Sequence, residues 1–359
     1  MGVCFGAHPY TTLLSNPLKN VRMKAKNIFT ILAITMAGTT LLCSCDNYLG
    51  IDDDRDDCGY DFNLTYRVNL NTNKDEEIEN KLYAPADTYV RAALQKEWDN
   101  IFRAYSKDLN ISFFKLPEDN LEKQENYNDF DSHEKSYMIF LDHKLYNNIA
   151  IGNAGQETAM TLTTGDNSKS VRLQVNGATA MQNQYVGVFT GRERLEAGLT
   201  EKNNHIVNLY QVNCAAALVL DTLDAQINSA RIEVQGMAEA FNVADSTFIF
   251  KDDAIVEGRQ ISVSGADNHR LCYYTLNFPS HDQAQKEGDP VWRMNVYVSL
   301  PDGTTTKNEL SVYARLRAGF CKIIKARALP NGALEITDTD VGASFKLDWN
   351  PGSEFNPSL

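Results

Sequence analysis

Short runs in which apolar and polar residues alternate constrain the fold of this 359-residue chain more than any other feature. One such run is YDFNLTYRVNL at residues 60–70, where every second residue is apolar. Its apolar positions are Phe62, Leu64, Tyr66, Val68 and Leu70. Because successive side chains of a β-strand point to opposite faces, this period of two predicts a strand with one buried face.

The same alternation returns in WRMNVYVSL at residues 292–300 and ends at PDGT, residues 301–304, which is a turn sequence. The pair Asn331-Gly332 predicts a β-hairpin, because both residues tolerate the positive φ angles of a type I′ turn. Further strands are predicted at residues 109–116, 136–141, 158–163, 205–220, 230–234, 247–251, 261–264, 271–278 and 310–315. Short strands separated by Gly, Asn, Asp and Pro predict a mainly β chain built from β-sandwiches.

One stretch has a helical period instead. Between residues 87 and 105 the apolar residues are spaced by three and four, and Asp87 or Thr88 is placed to cap the start. The apolar positions are Val90, Leu94, Trp98, Ile101, Phe102 and Tyr105. We expect one short helix in the N-terminal domain, laid across one sandwich, with its aromatic side chains in the core rather than forming a ligand platform.

The N-terminal 44 residues have the pattern of a secretion signal. Basic residues between 19 and 26 precede IFTILAITMAGTTLL at 28–42, an uncharged stretch too short to span a membrane. The following residues, Leu42 to Cys45, resemble a lipobox, in which cleavage after a small residue, here Ser44, exposes a cysteine whose thiol carries a diacylglycerol. This predicts cleavage between Ser44 and Cys45, with lipid, including an amide-linked acyl chain such as palmitate, on Cys45. An ordinary signal peptide with a chance cysteine is the alternative, and Met23 is a second candidate start.

Five aspartates between residues 52 and 57 follow the predicted lipid site. They do not fit a calcium-binding EF-hand loop, because Asp57 stands where the loop needs glycine and Asn63 where it needs glutamate. Like charges repel, so residues 45–58 are predicted to be an extended acidic tether. The tether also resembles export signals that carry some lipoproteins to the outer face of the outer membrane.

Net charge restricts the partners of the mature chain. The signal region holds four basic and no acidic residues, so its removal changes the net charge from −13 to −17 and leaves 315 residues. Such an acidic chain repels nucleic acid and anionic bilayers, and 315 residues suffice for two domains. Polar sequence at 196–204 marks the predicted boundary, with an N-terminal β-sandwich at 59–204 and a C-terminal β-sandwich at 205–359.

No local motif for catalysis, a cofactor or a metal occurs in the sequence. The acidic residues at 118–125 are predicted to be a solvated loop. The mature cysteines after Cys45 are predicted to be buried small hydrophobic residues, although a disulfide stays open as the alternative. These are Cys58, Cys214, Cys272 and Cys321.

Several ordered segments resemble the fimbrillin-associated anchor family of type V pili. They are the lipobox and tether, CGYDFNLTYRV from residue 58, LNISFF from 109, VGVFTGRERL from 186, LYQVNCAAALVLD from 209, FNVADSTFIF from 241, NVYVSLPDG from 295, LRAGFCKIIK from 316 and FKLDWNPG from 345. The resemblance implies two tandem transthyretin-like Greek-key β-sandwich domains on a lipidated cysteine in the outer membrane. Glu193 and Arg194 lengthen the FTGRL-like segment relative to the family pattern, which leaves the local loop open.

The resemblance also implies a role as a pilus anchor or accessory subunit, joined to other subunits by β-strand addition. In shaft subunits of the family an N-terminal strand is cut away after lipidation, whereas in an anchor the strand from Phe62 would be retained. Arg55 and Arg67 leave arginine-specific trimming open. Two other classes remain: a surface glycan-binding or adhesion lipoprotein, and a surface glycoside hydrolase with two converging carboxylates.

Overall fold

The computed structural model describes residues 59–128, 134–142, 144–196, 203–265, 269–336 and 347–348. Within these ranges the chain is mainly β, as predicted. The strands are β1 (Gly59–Asn69), β2 (Leu109–Leu116), β3 (Asn120–Tyr127), β4 (Glu134–Asp142), β5 (Leu145–Gly152), β6 (Met160–Thr163), β7 (Arg172–Val175), β8 (Ala180–Met181), β9 (Phe189–Glu196), β10 (Asn203–Gln211), β11 (Cys214–Asp221), β12 (Ser229–Gln235), β13 (Ala238–Asn242), β14 (Thr247–Phe250), β15 (Ile255–Glu257), β16 (Arg259–Ile261), β17 (Arg270–Asn277), β18 (Trp292–Ser299), β19 (Thr305–Val312), β20 (Cys321–Ala328), β21 (Leu334–Ile336) and β22 (Leu347–Asp348).

Two α-helices lie between β1 and β2: α1 (Lys74–Lys81) and α2 (Thr88–Ile101). Short 3₁₀ turns occur at Pro85–Asp87 and Ser168–Ser170. The predicted helix is α2, and its spacing places Val90, Leu94 and Trp98 on the buried face. Helix α1 was not predicted, because its sequence KDEEIENK buries little apolar surface.

The strands form four sheets. Their orders are β3-β2-β5-β9-β10-β1-β4, β16-β17-β11-β20-β21, β22-β19-β18-β12-β15-β8 and β14-β13-β7-β6. Below, each sheet is named by its number of strands: seven, five, six and four. The seven-stranded sheet combines antiparallel pairs with one parallel pair, β1 with β10.

The seven-stranded sheet bends over its own apolar face. The buried residues of this core, among them Phe62, Phe113 and Leu209, all belong to strands of that sheet. Its two edge strands approach each other where the Tyr127 and Tyr137 rings pack with centroids 4.1 Å apart. One sheet thus supplies both layers of a sandwich.

The five-stranded and six-stranded sheets pack face to face. Leu218 and Ile324 of the five-stranded sheet share a core with Val296 and Leu310 of the six-stranded sheet. The opposite face of the five-stranded sheet is covered by α1 and α2. The predicted helix does lie across one sandwich: Leu94 and Trp98 pack against β11, β17 and β20 of the five-stranded sheet, where small Ala215 and Ala217 let a helix approach. The helix was assigned to the N-terminal domain, but these strands lie in the predicted C-terminal domain.

The run predicted as one strand at 205–220 is two strands in different sheets. β10 ends at Gln211, and β11 begins at Cys214. Val212 and Asn213 carry the chain between the sheets. The boundary predicted between residues 204 and 205 falls inside β10, which pairs with β1 and β9 of the seven-stranded sheet. The predicted boundary thus lies within a strand of the seven-stranded sheet, and the division into two domains stays a prediction.

Two hairpins use the same three-residue loop. Leu300 and Thr304 flank one loop, and Leu329 and Ala333 flank the other; in each, the backbone N–H of the first flanking residue bonds to the carbonyl of the second at 2.8 Å. The last loop residue is a glycine with positive φ, Gly303 at 86° and Gly332 at 78°. Asn331 is not among the residues with positive φ, so the predicted type I′ turn is replaced by a loop that places only glycine in the left-handed region.

The predicted strands at 109–116, 136–141, 230–234 and 271–278 correspond to β2, β4, β12 and β17. The predicted solvated loop at 118–125 was wrong from residue 120 onward, where β3 begins as an edge strand with alternating exposure. Glu193 and Arg194 lie within β9 and pair with Asn148 and Asn147 of β5 in an uninterrupted register. No loop is inserted at that point.

Candidate functional site

The residues predicted to carry the lipid, Ser44 and Cys45, lie outside the described residues, as do the acidic tether and Cys58. Lipidation, signal cleavage and the tether therefore stay predictions. In the described part of the chain, no helix is both long and apolar enough to cross a membrane. Along the sequence, the first described element after the predicted lipid site is β1.

β1 lies in the interior of the seven-stranded sheet. Residues Phe62 to Asn69 pair in parallel with β10, and Gly59 to Arg67 pair antiparallel with β4. Phe62, Leu64 and Tyr66 are at most 1 % exposed. Removing β1 would therefore expose two neighbouring strands and the apolar core beneath them.

Hydrogen bonds between side chains reinforce β1 on its outer face. Asn63 donates to Asn204 Oδ1 at 2.9 Å, and Asn69 donates to Asn208 Oδ1 at 2.7 Å, both across to β10. The Thr65 hydroxyl lies 2.9 Å from that of Ser136 on β4. The polar half of the alternation thus joins β1 to both neighbours.

A buried tyrosine connects β1 to the opposite layer of the sandwich. The Tyr66 hydroxyl donates to Asn148 Oδ1 on β5 at 3.3 Å, and Asn148 donates to the Ser112 carbonyl on β2 at 3.3 Å. Burial raises the pKa of the Tyr66 phenol well above its ordinary value. The hydroxyl therefore stays neutral and serves as a donor inside the core.

Sheet edges matter for assembly, because an edge offers backbone donors and acceptors to another chain. Two of the long edges are protected. β3 carries charged side chains, including the ion pair of Lys123 with Glu125 at 3.0 Å. Charged residues on an edge disfavour pairing with a further strand.

The second protected edge is the part of β20 before Ala326, which the short edge strand β21 does not pair with and where α1 lies in place of a strand. The Asn73 side chain accepts from the Cys321 N–H at 2.8 Å and donates to the Cys321 carbonyl at 3.0 Å. Glu77 accepts from the Ile323 N–H at 2.8 Å. Two side chains from α1 and its N-terminal flank thus satisfy backbone groups that β21 does not reach.

The edge strand β4 carries charged residues only at its ends, and none from residue 136 to residue 141. It spans nine residues, and Met138 and Phe140 on its outer face are 75 % and 59 % exposed. Their cross-strand neighbours on β1 are Asn63 and Asp61. Within the described ranges, β4 combines a long open edge with large exposed apolar side chains.

Two adjoining clefts open on β9 and share Arg192 and Glu193. The larger, about 490 Å³, is lined by Asn208, Tyr210, Phe241 and Phe248 among others. The smaller, about 350 Å³, adds Asn147, Ser168 and Arg194. The sequence did not indicate these clefts, because residues far apart in the chain line them: the larger lies between β9 and β10 of the seven-stranded sheet and β13 and β14 of the four-stranded sheet, and the smaller lies between β5, β9, Ser168 and Ala244.

The described cysteines fit the prediction of buried small hydrophobic residues: Cys214, Cys272 and Cys321 are free and at most 2 % exposed. Cys214 and Cys321 lie on opposite faces of the five-stranded sheet. Among the described residues, no group of three His, Cys, Asp or Glu is placed to hold a metal ion. Trp98 and Trp292 are packed in cores, as predicted.

Comparisons with known proteins give weak similarities. No protein-family model matches the chain, and no curated protein matches it. Similar solved structures include the fimbrial anchor protein Mfa2 from Porphyromonas gingivalis, with 11 % identity over 80 % of this chain and 99 % of that chain, and a TM-score of 0.45. A candidate adhesin from Bacteroides thetaiotaomicron has 13 % identity over 78 % of this chain and 97 % of that chain, with a TM-score of 0.47. These identities are too low to transfer a function.

Proposed function

We propose that the chain is a pilus anchor or accessory subunit, lipid-anchored at the cell surface through Cys45 and joined to other subunits by β-strand addition. The observation that carries the proposal is the position of β1. This strand follows closely on Cys45 and lies between β10 and β4 with its apolar face buried. A lipid on Cys45 would thus be continuous with a central strand of the folded protein.

That position suits an element that must hold tension. A pull on the tether is resisted by the backbone pairing of β1 on both sides and by the burial of Phe62, Leu64 and Tyr66. Resistance to force depends on the rate of unfolding. A strand paired along its length on both sides must lose many bonds together, whereas an edge strand is bound on one side. The anchor proposal therefore requires β1 to be retained.

The lipid end of the link is also strong enough. Each buried methylene contributes about 0.8 kcal/mol, so a single acyl chain binds reversibly and several chains hold a protein on the membrane stably. The proposal includes no catalytic activity and no cofactor. Its partners are the outer membrane, through the lipid, and other subunits of the fibre.

The experiment compares gene deletion with two matched cysteine variants in the organism that carries the gene. Deletion is expected to release fibres of altered length into the medium. Complementation with Cys45→Ser should fail to restore cell-bound fibres and should move the protein out of the membrane fraction. Cys43→Ser, two residues away, should behave as wild type. Cell-bound fibres of unchanged amount and length after deletion would contradict the proposal.

A glycan-binding role is the second candidate, and the larger cleft on β9 favours it. Tyr210, 55 % exposed, and Phe248 provide aromatic surface there, and Arg192 and Asn208 provide polar groups. Clefts that combine aromatic side chains with a few polar groups are typical ligand sites. If this role holds, glycan-array binding by the purified protein should be lost in Tyr210→Ala and kept in Tyr313→Ala, a comparably exposed tyrosine outside the lining of the cleft. Absence of binding to any glycan on the array would reject it.

A further inference from the structure

The outer edge of β4 has the physical character of a docking strand. Among the described residues, β4 pairs with β1 on one side and has no hydrogen-bonded strand on the other. Natural proteins shield such edges with charges, prolines, bulges or short strands. At this edge, Met138 and Phe140 instead expose apolar side chains.

The other sheet edges differ from β4, which supports the interpretation of β4 as a docking strand. β3 is charged, and the β20 edge is bonded to Asn73 and Glu77. β8, β16, β21 and β22 have two or three residues each, and β6 has four. On β14, Phe248 packs on Phe241 and Phe250 stacks on His281, so its aromatic side chains are already engaged. Within the described ranges, β4 is left as the long apolar edge.

The inner side of the β4 edge is apolar as well. Tyr137 lies 4.1 Å from Tyr127 and 5.9 Å from Tyr66 between ring centroids. A strand added to β4 would place one set of side chains beside these rings and the alternate set beside Met138 and Phe140. The edge therefore fits a strand that is apolar on both faces.

We propose that the outer edge of β4 accepts an extended strand from a different subunit of the fibre. This proposal rests on the proposed function and names the surface through which it operates. The mature chain has a predicted net charge of −17, so a second copy would be repelled. The expected occupant is a segment rich in apolar residues, without net negative charge, supplied by another protein of the same fibre.

The test introduces charges on this edge and on matched exposed positions elsewhere. The edge variant is Met138→Lys with Phe140→Lys, and the control is Ile206→Lys with Leu223→Lys, which are exposed apolar residues away from any sheet edge. All four side chains are 48 % exposed or more, so both variants should keep the wild-type thermal unfolding midpoint. Cell-bound fibre should fall at least tenfold in the edge variant and stay unchanged in the control.

A photo-crosslinking amino acid at position 140 identifies the occupant. The proposal expects a crosslink, found by mass spectrometry, to a terminal segment of a different fibre subunit, and loss of that crosslink when Met138 is replaced by Lys. Crosslinking to a second copy of this chain would overturn the assignment, as would wild-type fibre retention by the edge variant. If gene deletion releases fibres while the edge variant retains them, the anchor function stands and the β4 site is rejected. If deletion has no effect, the function itself fails.

Discussion

Asp87, fully buried at the start of α2, accepts a hydrogen bond from Arg270 on β17, with 2.6 Å between Asp87 Oδ1 and Arg270 Nε. Its other oxygen, Oδ2, lies 2.6 Å from Lys325 Nζ on β20. Arg270 also contacts Asp221 on β11 at 3.1 Å. One carboxylate thus ties α2 directly to β17 and β20, and through Arg270 to β11 between them. It makes no side-chain cap on the helix.

Replacing Asp87 by Ala should destabilise the protein by about 3–5 kcal/mol, because it removes a fully buried carboxylate and leaves the partly buried Arg270 and Lys325 without it. Asp282→Ala is the control: its pair with Arg315, at 3.0 Å between Oδ1 and Nη1, is exposed, so the cost should be below about 1 kcal/mol. Urea unfolding measures both. Equal losses in the two variants would show that the Asp87 cluster does not hold α2 on the sheet.

Asn213, in the segment that joins β10 to β11, is a second residue whose replacement should strongly destabilise the protein. Its side chain accepts from the Val188 N–H and from Gln211, and donates to Gln184 and the Val186 carbonyl. Asn213→Ala should cost roughly 2–4 kcal/mol, since each buried group left unsatisfied costs about 1–3 kcal/mol. Asn204→Ala, which removes an exposed bond to Asn63, should cost less than about 0.5 kcal/mol. A loss in Asn213→Ala as small as in the control would contradict this.

Asp108 should make stability depend on pH. Burial raises the pKa of this carboxyl above its ordinary value of 3.8, against hydrogen bonds from Gly155 and Gln156 that lower it. The folded state therefore keeps a proton that the unfolded state releases, so stability falls as pH rises above about 4 and levels off above the folded pKa. Asp108→Asn should unfold at a higher temperature than wild type at pH 7, with the difference shrinking toward pH 3.5.

Asp302 is the control of opposite sign. Hydrogen bonds from the Thr304 N–H and hydroxyl lower the pKa of its exposed carboxyl. Its contribution is present above the ordinary pKa and is lost as pH falls, so Asp302→Asn should be less stable than wild type at pH 7 and equal to it in acid. Melting curves from pH 3 to 7 that show parallel behaviour for the two variants would refute the assignment for Asp108.

The buried thiols should be unreactive in the folded protein. Burial raises the pKa of Cys272 to about 12 and raises the pKa values of Cys214 and Cys321 well above 9. Since the thiolate is the reactive form, iodoacetamide at pH 8 should leave all three unmodified in native protein and alkylate them in urea. Peptide mapping by mass spectrometry reads each site separately, and rapid native labelling of any of the three would contradict its burial.

The sequence predicted elements whose two faces differ and missed those whose faces are alike. β1 has a buried and a hydrogen-bonded polar face, so its alternation was visible. β11 is buried on both faces, and a continuous apolar run marks neither the end of a strand nor its sheet. The run therefore merged with β10 into one predicted strand at 205–220. The loops ending at Gly303 and Gly332 were predicted because glycine marks positions where the backbone needs a positive φ, and both glycines have one.

The sequence did not predict which elements that are distant in the chain pack against or pair with one another. The spacing of Val90, Leu94 and Trp98 predicted a helix with one apolar face. That spacing does not show which sheet the apolar face packs against. The same limit applies to the β4 edge: a strand was predicted at 136–141, yet its place at the end of the sheet follows from pairing with β1, about seventy residues earlier in the chain. The role of Asn73 and Glu77 likewise depends on β20, far along the sequence.

The central claim, an anchor that retains β1 between its lipid and its core, is tested most directly by the N-terminal peptide of the protein isolated with cell-bound fibres. Intact-protein and peptide mass spectrometry should find a mature chain beginning at an acylated Cys45 and still containing Gly59–Asn69. A mature chain that begins downstream of Asn69, or fibres that contain none of this protein, would contradict the account.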